Sequence, residues 1–183
     1  GYGGQFNIQL ASTSEAEQVA LEWGNNLIIK GNLPFLVTAR IQVVHTMAAN
    51  EILAWGLMSN YTSVLDQATR NAWFKQDGSN SLLIEADDNS TDTDDKDTGV
   101  DITAATWYWY SIAQDGLGTL RYGLADARLQ NFRSWTMSKN FSANEPSFGA
   151  NGLQPVIAVQ KASGTTQPQI YIDWWGFCGE RAQ

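Results

Sequence analysis

The sequence predicts an all-β protein, a single antiparallel β-sandwich of two sheets that spans residues 1–183. Three observations predict this class. Short segments rich in β-branched and aromatic residues recur along the chain, turn residues separate them, and no strong helical pattern lies between them. The 183-residue chain is 43% hydrophobic, so it can bury a core without disulfides or a structural metal.

The clearest predicted strand is residues 33–44, where apolar and polar side chains alternate with a period of two. Residues 52–58 are apolar on both faces, which is typical of a central strand. Asp77-Gly78 indicates a hairpin between the segments 71–75 and 82–86. Further strands are predicted at residues 106–113, 120–124, 153–160 and 169–178.

Helical alternatives exist in two places. Residues 12–21 open with a capping-box pattern, in which Ser12 or Ser14 precedes Glu15 or Glu17. Residues 61–70 could form one or two turns. Because the flanking segments are strongly β, we expect short turns or loops in both. Residues 1–26 are either an N-terminal extension or an edge strand of the sandwich.

The order of motifs within residues 33–177 carries a resemblance. These motifs are FLVTARIQVV, EILAWGLM, AWFKQDGSNSLLIEA, an acidic loop ending in DTGVDI, TWYWYSIAQDG, LRYGLAD, LQPVIAVQ and IYIDWWGF. The order resembles the concanavalin A-like lectin/glucanase jelly roll, especially the divergent versions carried in tailed-phage virion proteins. The resemblance lies in strand and turn patterns rather than signature residues. It implies a jelly-roll fold and leaves several functions open.

Composition excludes several function classes. The chain has 19 acidic and 11 basic residues and a net charge of −8. This acidic excess opposes phosphate binding, so we expect no nucleic-acid partner. We expect no membrane partner either, because apolar runs stay well below the roughly 20 residues that span a bilayer. A single cysteine, Cys178, and a single histidine, His45, provide neither an internal disulfide nor a histidine metal site.

Glycoside hydrolysis is the first candidate activity, because the fold that the chain resembles hosts many glycosidases. Retaining hydrolysis requires two carboxyl groups about 5 Å apart. The resemblance implies an alternating Glu-x-Asp-x-Glu motif, and the nearest match is Glu85-Ala86-Asp87. Asn89 and Ser90 occupy the positions of the last acid, and neither can protonate a leaving group. We therefore predict that the protein is not an enzyme.

The acidic segment 87–97 is the candidate metal site. Asp92, Asp94 and Asp97 could offer oxygen ligands to Ca²⁺. The EF-hand spacing is absent, because Asp97 stands where that loop needs glycine and no glutamate follows at the twelfth position. Legume-type lectins hold calcium in a loop, which keeps the ion open as an alternative. The favoured prediction is a solvated hairpin tip without a cofactor.

The chain contains eight tryptophans, more than we expect a core of this size to need. Strict alternation in the closing strand predicts one core-facing set and one opposite set, which a bulge near Asp173 would exchange. The core-facing set is Ile170, Ile172 and Trp174, and the opposite set is Tyr171, Asp173 and Trp175. Outward aromatics could contact a protein partner or stack on sugars. The predicted interface residues are Trp175, Tyr171, Phe132, Trp135, Phe141 and Phe148, the last four within a predicted contact arm at residues 130–151.

Two functions follow. The first is a structural protein of a phage particle, a capsid decoration or head-associated protein. It would be assembled in the host cytoplasm, lie on the capsid exterior, and bind the major capsid protein and copies of itself. The alternative is a lectin-like module that binds glycans. Two or more Trp side chains that line a concave groove about one sugar ring wide, with polar partners between them, would favour the alternative.

Overall fold

The computed structural model describes residues 4–26, 28–62, 64–88, 92–139 and 152–179. Within these ranges the chain forms 13 strands and one short 3₁₀ helix at Leu65–Gln67. The strands are β1 (Phe6–Gln9), β2 (Glu17–Glu22), β3 (Ile29–Lys30), β4 (Phe35–Val43), β5 (Glu51–Met58), β6 (Arg70–Asp77), β7 (Ser81–Asp88), β8 (Asp92–Asp101), β9 (Thr106–Gln114), β10 (Thr119–Asp126), β11 (Arg133–Ser138), β12 (Gly152–Lys161) and β13 (Gln169–Gly179).

The strands form two antiparallel sheets. The six-stranded sheet has the order β1-β13-β4-β9-β10-β11. The seven-stranded sheet has the order β2-β12-β5-β6-β7-β8, and β3 also pairs with β12. The predicted all-β, two-sheet antiparallel sandwich is therefore confirmed. In the described ranges, no helical segment has the length and apolarity that crossing a bilayer requires.

The main core lies between the sheets, as the alternation in β4 predicts. The buried side chains of that strand are Phe35, Val37, Ala39, Ile41 and Val43. Aromatic rings from both sheets meet at the centre: Phe74 lies 5.2 Å from Tyr110 and 5.3 Å from Tyr122 between ring centroids. Such edge-to-face pairs add about 0.5–1.5 kcal/mol each beyond the area they bury. Because these contacts hold the inner faces of the two sheets together, they also set which side of each sheet faces solvent.

A second, smaller cluster covers the middle of the outer face of the seven-stranded sheet. Leu65 and Ala68, from the 3₁₀ segment, pack on Trp73, Val156 and Ala158, which are all fully buried. Residues 61–70 therefore form a short turn, as predicted. Residues 12–21 form no helix, since their second half belongs to β2.

Residues 4–26 contribute an edge strand to each sheet, β1 beside β13 and β2 beside β12. Two further strands lie where the sequence predicts loops. The acidic segment continues as β8 and pairs with β7, and the predicted contact arm contains β11. Both are polar strands at sheet edges, where charge resists pairing with other chains. They lack the alternation that marks half-buried strands, so the sequence pattern did not predict them.

A bulge interrupts β13. Ile172 and Trp174 lie opposite two consecutive residues of β4, Ile41 and Arg40. Asp173 is therefore an extra residue without a partner of its own in the ladder.

The bulge reverses the predicted orientation of two tryptophans. Trp174 was predicted to face the core, but it points outward and is 53% exposed. Trp175 was predicted to face outward, but it lies opposite Ala39 and packs against the core. The prediction was wrong because strict alternation does not hold across an inserted residue.

Candidate functional site

The outer surface of the six-stranded sheet carries an unusual number of aromatic side chains. We call it the aromatic face and define it by Trp107, Trp109, Phe132 and Trp174. Phe132 and Trp174 are 66% and 53% exposed. Isolated exposed aromatics are common, but several on one sheet face mark a surface for ligand or partner binding.

A row of small residues lies between the two exposed rings. Strand pairing places Gly176, Thr38, Ser111 and Gly123 side by side on β13, β4, β9 and β10. Neighbouring strands lie about 4.8 Å apart, so the row is about 14 Å long. It forms a polar floor bounded by aromatic rings.

Each ring is held over one glycine. The Trp174 indole Nε1 donates a hydrogen bond to Thr38 Oγ1 at 3.1 Å, and its ring lies 3.1 Å from where a Cβ on Gly176 would be. The Phe132 ring lies 3.0 Å from where a Cβ on Gly123 would be. Any larger residue at either glycine would displace the ring above it.

Arg40 organises the middle of the aromatic face. Its guanidinium forms an ion pair with Asp173, the bulge residue. It also lies 4.9 Å from the centroid of the Trp107 ring and 6.0 Å from that of Trp109, within cation–π range. These contacts fix the guanidinium beside the polar floor, where its remaining N–H groups can donate hydrogen bonds.

Two of the predicted interface residues lie on this sheet's outer side. Phe132 is one, and Tyr171 is the other, half-buried with its hydroxyl accepting a hydrogen bond from Gln169 Nε2 at 3.3 Å. The structure adds Trp174, which the sequence missed because its outward orientation depends on the bulge.

Two of the other predicted interface residues face the core. Trp135 and Trp175 are half-buried and pack against the core. Trp175 also stacks on Trp23, with ring centroids 5.9 Å apart. Phe141 and Phe148 lie outside the described residues.

The predicted metal site takes a different form. Carboxylate oxygens of Glu85, Asp92 and Asp94 all lie within 4.8 Å of one another, and we call this group the carboxylate cluster. Asp97, the third predicted ligand, is not in it, and its Oδ1 accepts a hydrogen bond from the Gly99 N–H at 2.8 Å. Glu85 joins Asp92 and Asp94 through the pairing of β7 with β8, which the sequence pattern did not reveal.

Both oxygens of Glu85 already have protein donors. Asn71 Nδ2 donates to Oε1 at 2.7 Å, and the Lys75 ammonium lies 3.4 Å from Oε2. All three residues are only 2% exposed. Calcium takes six to eight oxygen ligands, and an ammonium group in contact with one ligand repels it. The donor set of the described residues therefore does not fit a divalent cation.

His45 forms contacts with Glu51 and Gln169. Its Nε2 lies 2.7 Å from Oε2 of the fully buried Glu51, and its Nδ1 accepts a hydrogen bond from the Gln169 N–H at 3.4 Å. Burial alone would raise the pKa of Glu51, but hydrogen bonds from Ala48, Thr166 and His45 outweigh it and lower that pKa. The pair joins the end of β4 to the start of β5.

A cleft of about 270 Å³ opens on the outer face of the seven-stranded sheet, beside β2. Its lining residues are Ala16, Glu17, Gln18, Tyr61, Gln160 and Lys161. The amide oxygen of Gln160 is buried there without a hydrogen-bond partner among the described residues. The cleft is a second place where a polar ligand could bind.

No protein-family model matches the chain, and no curated protein matches it in sequence. Solved structures do match. A protein of unknown function from Shewanella oneidensis MR-1 has a TM-score of 0.66 at 14% identity, over 95% of this chain and 68% of that one. An alginate lyase from Pseudomonas aeruginosa has a TM-score of 0.61 at 10% identity, over 97% and 83%.

The exoplasmic/lumenal domain of VIP36, solved with Ca²⁺ and Man3GlcNAc bound, has a TM-score of 0.58 at 8% identity, over 96% of this chain and 81% of that one. At these identities the likeness shows the fold alone. The chain has the concanavalin A-like jelly-roll fold of lectins and alginate lyases. The predicted fold class is confirmed at this level.

Proposed function

We propose that this protein is a non-catalytic glycan-binding domain that holds its ligand on the aromatic face. One observation carries the proposal: two exposed aromatic rings, Trp174 and Phe132, lie at opposite ends of a floor made by Thr38 and Ser111.

The chemistry of this surface suits a saccharide. A sugar ring has apolar C–H faces, which pack on aromatic rings, and hydroxyl edges, which need hydrogen-bond partners. Thr38, Ser111 and Arg40 supply such partners between the rings. The two rings cover the glycines that end the row, so the open floor between them is the step from Thr38 to Ser111, about 5 Å wide, and it accommodates a single sugar ring.

The structural neighbours support a saccharide as the ligand class. One is an alginate lyase, and another was solved with Man3GlcNAc bound. Both have the two-sheet fold of this chain, and alginate and a mannose-containing glycan are therefore the first ligands to test.

The absence of catalysis is part of the proposal. Glycoside hydrolysis needs one carboxyl group free to donate a proton and another free to attack or activate water. Both oxygens of Glu85 are held by Asn71 and Lys75. His45 is engaged by Glu51, with 2.7 Å between Nε2 and Oε2.

Affinity gel electrophoresis tests the proposal. The wild-type protein is run through native gels containing alginate, mannan, cellulose derivatives or no polysaccharide. We expect retardation by at least one polysaccharide, and a loss of at least tenfold in affinity for Trp174→Ala and for Phe132→Ala. Tyr61→Ala, in the cleft of the opposite sheet, serves as the matched control and should migrate like the wild type.

Two results would contradict the proposal. Unchanged migration in every polysaccharide, extended by a glycan array without a positive signal, would remove the function. If Tyr61→Ala loses retardation and Trp174→Ala does not, the protein binds glycan on the seven-stranded sheet, and the aromatic face is not the binding site.

A second candidate is the phage-particle structural protein that the sequence predicts. Leu36, 42% exposed, extends the same surface beside Phe132 and Trp174, and an exposed apolar patch of this kind also suits a protein partner. None of the neighbours named above is described as a phage protein, so the capsid partner and the virion location stay predictions. This candidate is removed if the protein elutes as a monomer in size-exclusion chromatography and also stays a free monomer when assembled particles are present.

A further inference from the structure

We propose that Lys75 is the built-in counter-ion of the carboxylate cluster, so that the domain needs no divalent cation. The inference is independent of the proposed function. One neighbour with this fold was solved with Ca²⁺ bound. In this chain the carboxylate cluster has a buried ammonium group in contact with one of its three acids.

The Lys75 ammonium connects three strands. From β6 it reaches Glu85 of β7 and Asp95 of β8, with N–O distances of 3.4 Å and 3.0 Å, and it lies 3.7 Å from Asp77 at the end of its own strand. Its side chain is only 3% exposed. A bound divalent cation would serve the same purpose, because it too would draw carboxylates from neighbouring strands around one positive charge.

Burial makes this charge necessary. Glu85 is 2% exposed, and oxygens of Asp92 and Asp94 lie within 4.8 Å of its own. Loss of the ammonium would remove a cationic partner from a buried carboxylate that lies beside two like charges, which is strongly destabilising. The acidic hairpin that the sequence predicts as a solvated tip therefore depends on one lysine at its base.

Removal of the ammonium should turn the cluster into a cation site. The three carboxylates have oxygens within 4.8 Å of one another, and the cluster would then lose the ammonium that contacts Glu85. Asn71 Oδ1, buried and without a hydrogen-bond partner among the described residues, would add a neutral oxygen beside Glu85. Carboxylate and amide oxygens are the ligands that calcium prefers.

The test compares thermal unfolding of the full chain in millimolar CaCl2 and in EDTA. We expect the wild type to melt at the same temperature in both. Lys75→Met keeps the aliphatic stem and removes the charge. It should melt lower than the wild type in EDTA and recover several degrees in CaCl2, since a ligand that binds the folded state stabilises it.

Two further variants separate the cluster from general effects. Lys75→Met combined with Glu85→Gln should lose the recovery in CaCl2, because the central ligand is weakened. Lys96→Met, which removes an exposed lysine from the same hairpin, should behave like the wild type.

The proposal is overturned if CaCl2 raises the melting temperature of the wild type, or if calorimetric titration detects calcium binding to it. It is also overturned if Lys75→Met is destabilised equally in both buffers. If Lys75→Met does not fold in EDTA, recovery of the folded state on addition of CaCl2 supports the proposal. If the variant fails to fold in both buffers, the proposal is contradicted.

Discussion

Trp174 and Trp175 are adjacent in sequence and have opposite roles. Trp175 packs against the core beneath the stacked ring of Trp23, whereas Trp174 is 53% exposed. We expect Trp175→Ala to lower the free energy of unfolding by about 3 kcal/mol, the lower end for truncating a large core side chain. Trp174→Ala should cost about 1 kcal/mol, mainly the hydrogen bond to Thr38. Urea denaturation measures both values, and equal losses would contradict the assignment.

The two tryptophans show what alternation can and cannot predict. The pattern correctly placed Ile170 and Ile172 in the core, because the strand is regular up to that point. It failed at the next residue, since a single inserted aspartate exchanges the faces of all that follow. The inserted Asp173 forms an ion pair with Arg40, which lies on a strand far away in sequence, so no local pattern reveals it.

Glu51 gives the fold a pH dependence. Hydrogen bonds keep its pKa below the ordinary value despite burial. A carboxyl group with a lowered folded-state pKa stabilises the protein above its unfolded pKa, and this contribution is lost as the pH falls through the folded value. We expect Glu51→Gln to lower the melting temperature at pH 7 and to have progressively less effect below about pH 4. A difference that does not change between pH 7 and pH 3 would contradict this role.

At the scale of elements, deletion of the bulge residue Asp173 tests the pairing register between β13 and β4. Removal of Asp173 leaves Trp174 opposite Arg40 and Trp175 opposite Ala39, because β4 already pairs with them in that register. We therefore expect the deletion variant to fold, with an intact near-ultraviolet circular dichroism spectrum and a moderate loss of stability. Deletion of Ala39, the middle residue of regular β4, forces half of a central strand out of phase and should abolish the spectrum. Loss of structure in both variants would show that the bulge residue itself maintains the register.

Strands with a buried face were predictable, and edge strands were not. Every strand predicted from alternation or apolar runs is present, and the Asp77-Gly78 hairpin joins β6 to β7. β8 escaped prediction because its side chains are acidic and largely exposed. For β2 the edge strand was one of two alternatives left open for residues 1–26, because its capping-box pattern is also a helix signal, and pairing with β12 decides the outcome.

At the scale of the molecule, the two sheets have different outer surfaces. The seven-stranded sheet carries the carboxylate cluster and the buried Lys75, while the six-stranded sheet carries the aromatic face. Composition alone predicted an acidic segment and surplus aromatics. It could not predict that Glu85 joins the aspartates or that two glycines seat the exposed rings, because both depend on cross-strand register.

Oxidative footprinting of tryptophan most directly tests the claim that the aromatic face binds glycan. The protein is oxidised with and without the polysaccharide that retards it, and modification of each tryptophan is measured by mass spectrometry. Trp23, 44% exposed and packed against Trp175 of the core, is the internal control for Trp174, 53% exposed. We expect the ligand to reduce oxidation of Trp174 at least severalfold and to leave Trp23 unchanged. Equal oxidation of Trp174 with and without a saturating ligand would contradict the account.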